Sequence, residues 1–194
     1  MTLTDEIQPW LFPVEPLEGE SFSHFLGRFR RRNYLAPSAV EPLEGESFSH
    51  FLGRFRRRNY LAPSALGQLA GIGAVVGRWE KFHLNPFPSA KELEGLAKVV
   101  GVEGQRLRQM LPPQGVGMKC NTIRLFGACY AESPCHRMEW QFESTAGCET
   151  HQLRLVSKCP NCEARFKVPA FWENGCCDRC RLPFGEMSAY QKAY

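Results

Sequence analysis

Apolar positions in the first half of the chain recur at helical spacing, and those in the second half follow no regular period. Phe48, Phe51, Leu52 and Phe55 fall at i, i+3, i+4 and i+7, one face of a helix, with Ser47 placed to cap its start. Arg54, Arg56, Arg57 and Arg58 crowd its last turn, where positive charge complements the helix dipole. Pro63 suits the first turn of a second helix carrying Leu66 and Leu69, which Gly71 or Gly73 stops. After Pro86 and Pro88, Ser89 and Glu92 form a capping box ahead of the stripe Leu93, Leu96, Ala97 and Val100, and Gly101 ends the helix. A shorter helix with Leu107, Met110 and Leu111 closes at Pro112-Pro113. The stretch 74–84 holds Trp79 and Phe82 without a clear period. Four or five short helices on tight turns predict a helix-turn-helix region over 1–113, an architecture that serves both DNA binding and protein docking. The aromatic stripe reads as core. The arginines read either as a solvated helix end or as a patch for phosphate or an acidic partner.

Residues 14–39 read VEPLEGESFSHFLGRFRRRNYLAPSA, and residues 40–65 repeat them letter for letter. A period of this size prompts a solenoid reading, but two copies without capping variants do not make one. Identity even at exposed positions points to a recent tandem duplication or an error in the assembled sequence. A second partner-binding helix is the functional alternative. Because the second copy alone runs directly into Leu66, it is expected to pack, leaving the first as a supernumerary, loosely attached helix.

Composition narrows the class. The chain has 194 residues, 43% hydrophobic and 23% charged, as in ordinary folded proteins. No apolar run approaches the roughly 20 residues that a membrane helix needs. The start, with Asp5 and Glu6, lacks the basic-then-apolar pattern of a secretory signal, so a cytoplasmic location is expected. All nine cysteines follow residue 119, and their number and spacing favour metal knuckles over a secreted disulfide framework.

Cys159-Pro-Asn-Cys162 and Cys177-Asp-Arg-Cys180 are paired Cys-x2-Cys knuckles with 14 residues between the inner cysteines. Two such turns complete a tetrahedron of thiolates around Zn2+ and leave no open position, which is structural rather than catalytic chemistry. Cys176 fits the knuckle spacing less well than Cys177. Upstream, Cys148-Glu-Thr-His151 makes a further knuckle, but its partner reads Phe126-Gly-Ala-Cys129 and lacks one ligand. Cys135 or His136 lies near enough in sequence to substitute, whereas Cys120 is about a strand's length away. This site is expected to be either degenerate or rescued. Residues 114–156 are thus read as a first, degenerate zinc-finger module and 157–194 as a second. With both sites filled, the formal +4 falls to about +1, so bulk charge gives no argument for nucleic acid. There is no Gly-rich phosphate loop, HExxH pair or nucleophile elbow, and nothing orients Ser133 and His136 as a dyad; no enzyme and no small-molecule substrate are expected.

The helical lead-in, the segment from Cys129-Tyr-Ala-Glu-Ser through Glu139-Trp140, Cys148-x2-His151, Leu153 and then Cys159-Pro-x-Cys162 together resemble the TniQ family, the target-selection adaptors of DNA transposons. The short length is similar to the TniQ of CRISPR-associated transposons with a single-protein, RNA-guided effector. The resemblance implies α structure plus small zinc-ribbon modules, with a helix-turn-helix region followed by two zinc-finger modules. It implies ligands at Cys129, Cys148, His151, Cys159, Cys162, Cys177 and Cys180, and a bacterial cytoplasmic setting. The same likeness implies a bridging role, between the effector with its guide RNA at the target and the AAA+ ATPase regulator TnsC, which recruits the transposase. By that likeness Trp10 and the helix bearing Arg54, Arg56, Arg57 and Arg58 are candidate partner contacts, and direct contacts with target DNA are weak or indirect.

Overall fold

The structure is a computed structural model that describes residues 14–32 and 37–194. Trp10, a candidate partner contact, lies outside the described residues. Helices dominate: α1 (Phe22–Arg32), α2 (Phe48–Asn59), α3 (Pro63–Leu69), α4 (Val76–Trp79), α5 (Ala90–Val100), α6 (Gly104–Gln109) and α7 (Gly127–Glu132). The one named sheet among the described residues is a ribbon of β1 (Gly147–Cys148) antiparallel to β2 (Leu153–Arg154), with Cys148 opposite Leu153. None of the described helices is long and apolar enough to cross a membrane.

Local sequence chemistry sets the helix ends. The Ser47 hydroxyl accepts from the His50 amide at 3.3 Å, which caps α2. At Ser89 the full capping box is present, and Gly101 closes α5 in the left-handed conformation that glycine adopts without strain. α3 ends at Leu69, but Leu69 is 45% exposed, so of the two leucines expected on its buried face only Leu66 is core.

Two apolar clusters form. The first joins Phe48, Phe51, Leu52 and Phe55 to Leu66, Val76, Trp79, Leu93, Leu96 and Leu107. The second holds Trp140, Tyr130, Phe126, Phe166, Trp172 and Phe184 with cysteines from both cysteine-rich segments, and Phe82 reaches it from the helical half. Phe82 stands at φ 59°, a strained backbone for a bulky residue, and its ring lies 5.8 Å from His136. One cluster therefore serves both cysteine-rich segments.

α2 ties the layers together. At its start, the Ser47 amide donates to the His136 carbonyl at 2.7 Å and the Met138 amide to that of Gly45 at 3.1 Å. Further along, the Ala170 amide donates to the Ser49 hydroxyl at 3.2 Å, and that hydroxyl donates to the Glu80 carbonyl at 2.5 Å. A Cβ on Gly53 would fall on the Ala170 backbone, so only glycine lets the layers approach this closely. The two copies of the repeat differ sharply. Phe48 is 2% exposed while its equivalent, Phe22, is 70% exposed, and Phe25, Leu26 and Phe29 are only half-buried.

Candidate metal centres

Three knuckles share one backbone design. Cys159 donates its amide to Ala164 at 2.9 Å and accepts from Glu163 at 2.9 Å; Cys177 does the same with Leu182 and Arg181, both at 2.9 Å. The residue four places after the first ligand is left-handed in each case: Glu163 at φ 60°, Arg181 at φ 63° and, after Cys148, Gln152 at φ 51°. The turn aims the two ligand atoms of each pair to the same side.

At the carboxy-terminal site Cys159, Cys162, Cys177 and Cys180 place their sulfurs within 4.8 Å of one another. Cys159–Cys180 and Cys162–Cys177 are each 3.5 Å apart. Sulfurs about 2.3 Å from a tetrahedral ion would be separated by about 3.8 Å, so the cage fits a thiolate-bound metal with little movement. Disulfides bond at roughly 2.05 Å, and all nine cysteines are free. Burial pushes the Cys159 thiol up to about 12, while the Leu182 amide and then the Asn161 side chain hold Cys180 down to about 6. Four thiols this close cannot all ionise on their own; a cation among them would favour the thiolate at every position.

Upstream, Cys129, Cys148 and His151 gather their ligand atoms into a near-equilateral triangle: Cys129–Cys148 3.6 Å, Cys129–His151 Nδ1 3.3 Å and Cys148–His151 Nδ1 3.4 Å. β1 carries Cys148, the turn before β2 carries His151, and α7 brings Cys129 across to them. The far ring nitrogen of His151 lies 3.0 Å from the Glu132 carboxylate, the outer-shell arrangement that fixes a ligating imidazole with Nδ1 facing a metal. Cys148, then Glu132, raise the His151 pKa, and burial, then the Cys148 thiol, push Cys129 up to about 12. For Cys148, burial works upward, but the amides of His151 and Thr150 and the imidazole outweigh it and lower the thiol. Two soft thiolates and an imidazole suit a borderline-soft divalent ion.

Neither expected rescuer joins this triangle. Cys135 is fully buried with its sulfur 3.7 Å from the Ser133 hydroxyl, outside the ligand cluster; the tight turn after α7 carries it toward the α2 interface instead. His136 is also fully buried. Its Nδ1 meets the Ser47 hydroxyl at 2.9 Å, its Nε2 faces the Gln141 amide oxygen at 3.4 Å, and Trp140 and Trp172 pack edge-on against it at 5.3 and 5.2 Å. Burial holds its pKa well below the usual histidine range, so it is a neutral core residue. Phe126, where a cysteine would complete the pattern, lies edge-on to Trp140 at 5.9 Å in the second apolar cluster. Cys176 pairs by backbone with Pro183, leaving Cys177 as the ligand.

The arginines are not a free patch. Arg54 pairs with Glu46 at 2.8 Å, Arg56 with the buried Glu80, and Arg57 donates to the Ala170 carbonyl and to that of Trp172 at 3.1 Å. Arg58 is exposed without a partner among the described residues. It lines an open cleft together with Tyr60, Tyr130 and Trp172. Glu132 is the site residue that sequence reading passed over; its one signal was the i, i+3 spacing from Cys129 on a short helix. No protein-family model matches this chain, and no curated protein matches it.

Proposed function

We propose that this protein is a non-catalytic adaptor of RNA-guided DNA transposition, carrying Zn2+ at both cysteine clusters. In this reading it links an RNA-guided CRISPR effector, with its guide RNA, at the target site to the AAA+ ATPase regulator TnsC. The observation that carries the reading is the four-thiolate cage behind a small helical layer, preceded in the chain by the Cys129, Cys148 and His151 cluster. A cage whose four ligands all come from the chain holds structure and leaves no position for a substrate. α2 and α3, joined by three residues, supply the helix-turn-helix of the proposal, and the cleft beside Arg58 is its partner-facing surface.

A stand-alone sequence-specific DNA-binding regulator is the competing reading. It needs several free cations on one face to neutralise phosphates, and three of the four arginines at the end of α2 are engaged inside the chain. Pull-down with the ATPase in the presence of ATP and DNA separates the two. The adaptor is retained by the ATPase and binds DNA alone only weakly; absence of retention together with tight, sequence-dependent DNA binding overturns it.

A further inference from the structure

The duplicated segment carries an inference independent of the metal centres. Each copy builds the same local unit from contacts within its own segment. In the first, Glu20 holds His24 at 2.5 Å and Arg28 at 2.6 Å, and the Leu17 amide donates to Glu20 at 3.0 Å. In the second, Glu46 holds His50 at 2.5 Å and Arg54 at 2.8 Å, and the Leu43 amide donates to Glu46 at 3.0 Å. Among the described residues the unit has one groove, between the first apolar cluster and the backbone at His136, Met138 and Ala170, and the second copy fills it. Every side chain the groove recognises in the second copy is present in the first.

We propose that the groove accepts either copy, so that the chain carries two interchangeable internal ligands for one docking site. With α3 (Pro63–Leu69) kept whole, seating the helix of the first copy leaves a 26-residue loop at the turn that precedes α3. Closing that loop disfavours the exchanged register by on the order of a hundredfold, which makes the second copy the dominant occupant and the first a reserve. A groove on the same chain outcompetes one on a second molecule at ordinary concentrations because its effective concentration is in the millimolar range.

Gly53 supplies the test, because any side chain there collides with the Ala170 backbone. Leucine is a better helix former than glycine, so Gly53→Leu blocks docking without weakening the helix itself. Gly53→Leu is expected to stay folded, with a folding equilibrium constant about a hundredfold lower, and to transfer hydrogen-exchange protection from 48–59 to 22–32. The substitution gives the two otherwise identical peptides different masses, so exchange can be read separately for each. Gly27→Leu keeps the second copy seated. The double variant Gly27→Leu with Gly53→Leu leaves no copy able to dock and loses the cooperative helical layer. The proposal is overturned if Gly53→Leu alone unfolds as completely as the double variant, or if its protection stays on residues 48–59. A folded fraction of Gly53→Leu that rises with protein concentration, with a doubled mass on gel filtration, overturns the intrachain assignment in favour of exchange between molecules.

Discussion

The two cysteine clusters use the same knuckle turn and differ in what faces it. Downstream, a second knuckle meets the first, and four sulfurs close a cage. Upstream, the knuckle of Cys148 and His151 meets the short helix α7, which contributes Cys129 alone, while the position three residues earlier holds an aromatic ring packed in the core. The lesson is that a ligand count follows from backbone type. A knuckle presents two donors on one side; one turn of helix starting at Phe126 presents one donor to the metal and one side chain to the interior.

Breaking the closed cage should have the largest effect. Cys177→Ser, or removal of metal by a strong chelator, is expected to unfold the cysteine-rich layer, since the proposed Zn2+, bound as a structural ion, would supply on the order of 10 kcal/mol. Loss of near-ultraviolet circular dichroism from Trp140 and Trp172 would report it, and an unchanged spectrum would sink the structural role. Next in size is Phe126→Ala, expected to cost about 3–4 kcal/mol by removing a ring from the core while leaving the metal content unaltered. A urea titration with metal analysis reads both quantities.

The outer shell sharpens the contrast. Glu132→Gln should weaken metal binding at the three-ligand cluster about tenfold and leave the four-cysteine cage untouched, because only His151 has a carboxylate behind it. The side chain of Glu132 is 63% exposed, which places the effect at the low end of such contributions. Competition with a chromophoric chelator resolves the two classes of site; equal weakening of both would remove the assigned role. Smallest of all, Glu163→Gly relieves a left-handed non-glycine residue, an effect offset by the added freedom of the unfolded chain. Thermal unfolding should move in the stabilising direction by less than about 1 kcal/mol.

What the sequence disclosed was local. The cap at Ser47, the capping box at Ser89 and Glu92, and the Cys-x2-Cys pairs each rest on residues within a few positions, and each forms as read. The cage that joins Cys159 to Cys180 was legible because knuckle spacing already implies a facing partner. What escaped depends on contacts across the chain. Arg57 looks like a surface cation until the carbonyls of Ala170 and Trp172, more than a hundred positions away, are brought to it. Cys135 looks like a spare ligand until its burial beside Ser133 is known. Phe82 sits in an aperiodic stretch because a left-handed turn, and no regular element, delivers its ring to the second core.

Phe126 also limits how the upstream cluster could be changed. Cysteine at that position would put its sulfur toward the interior, where the ring now packs against Trp140, and leave a void there without a gain at the metal. A fourth protein ligand there therefore calls for a changed backbone ahead of α7 as well as a new donor and a side chain to refill the space. Single-step variation leaves the cluster at three.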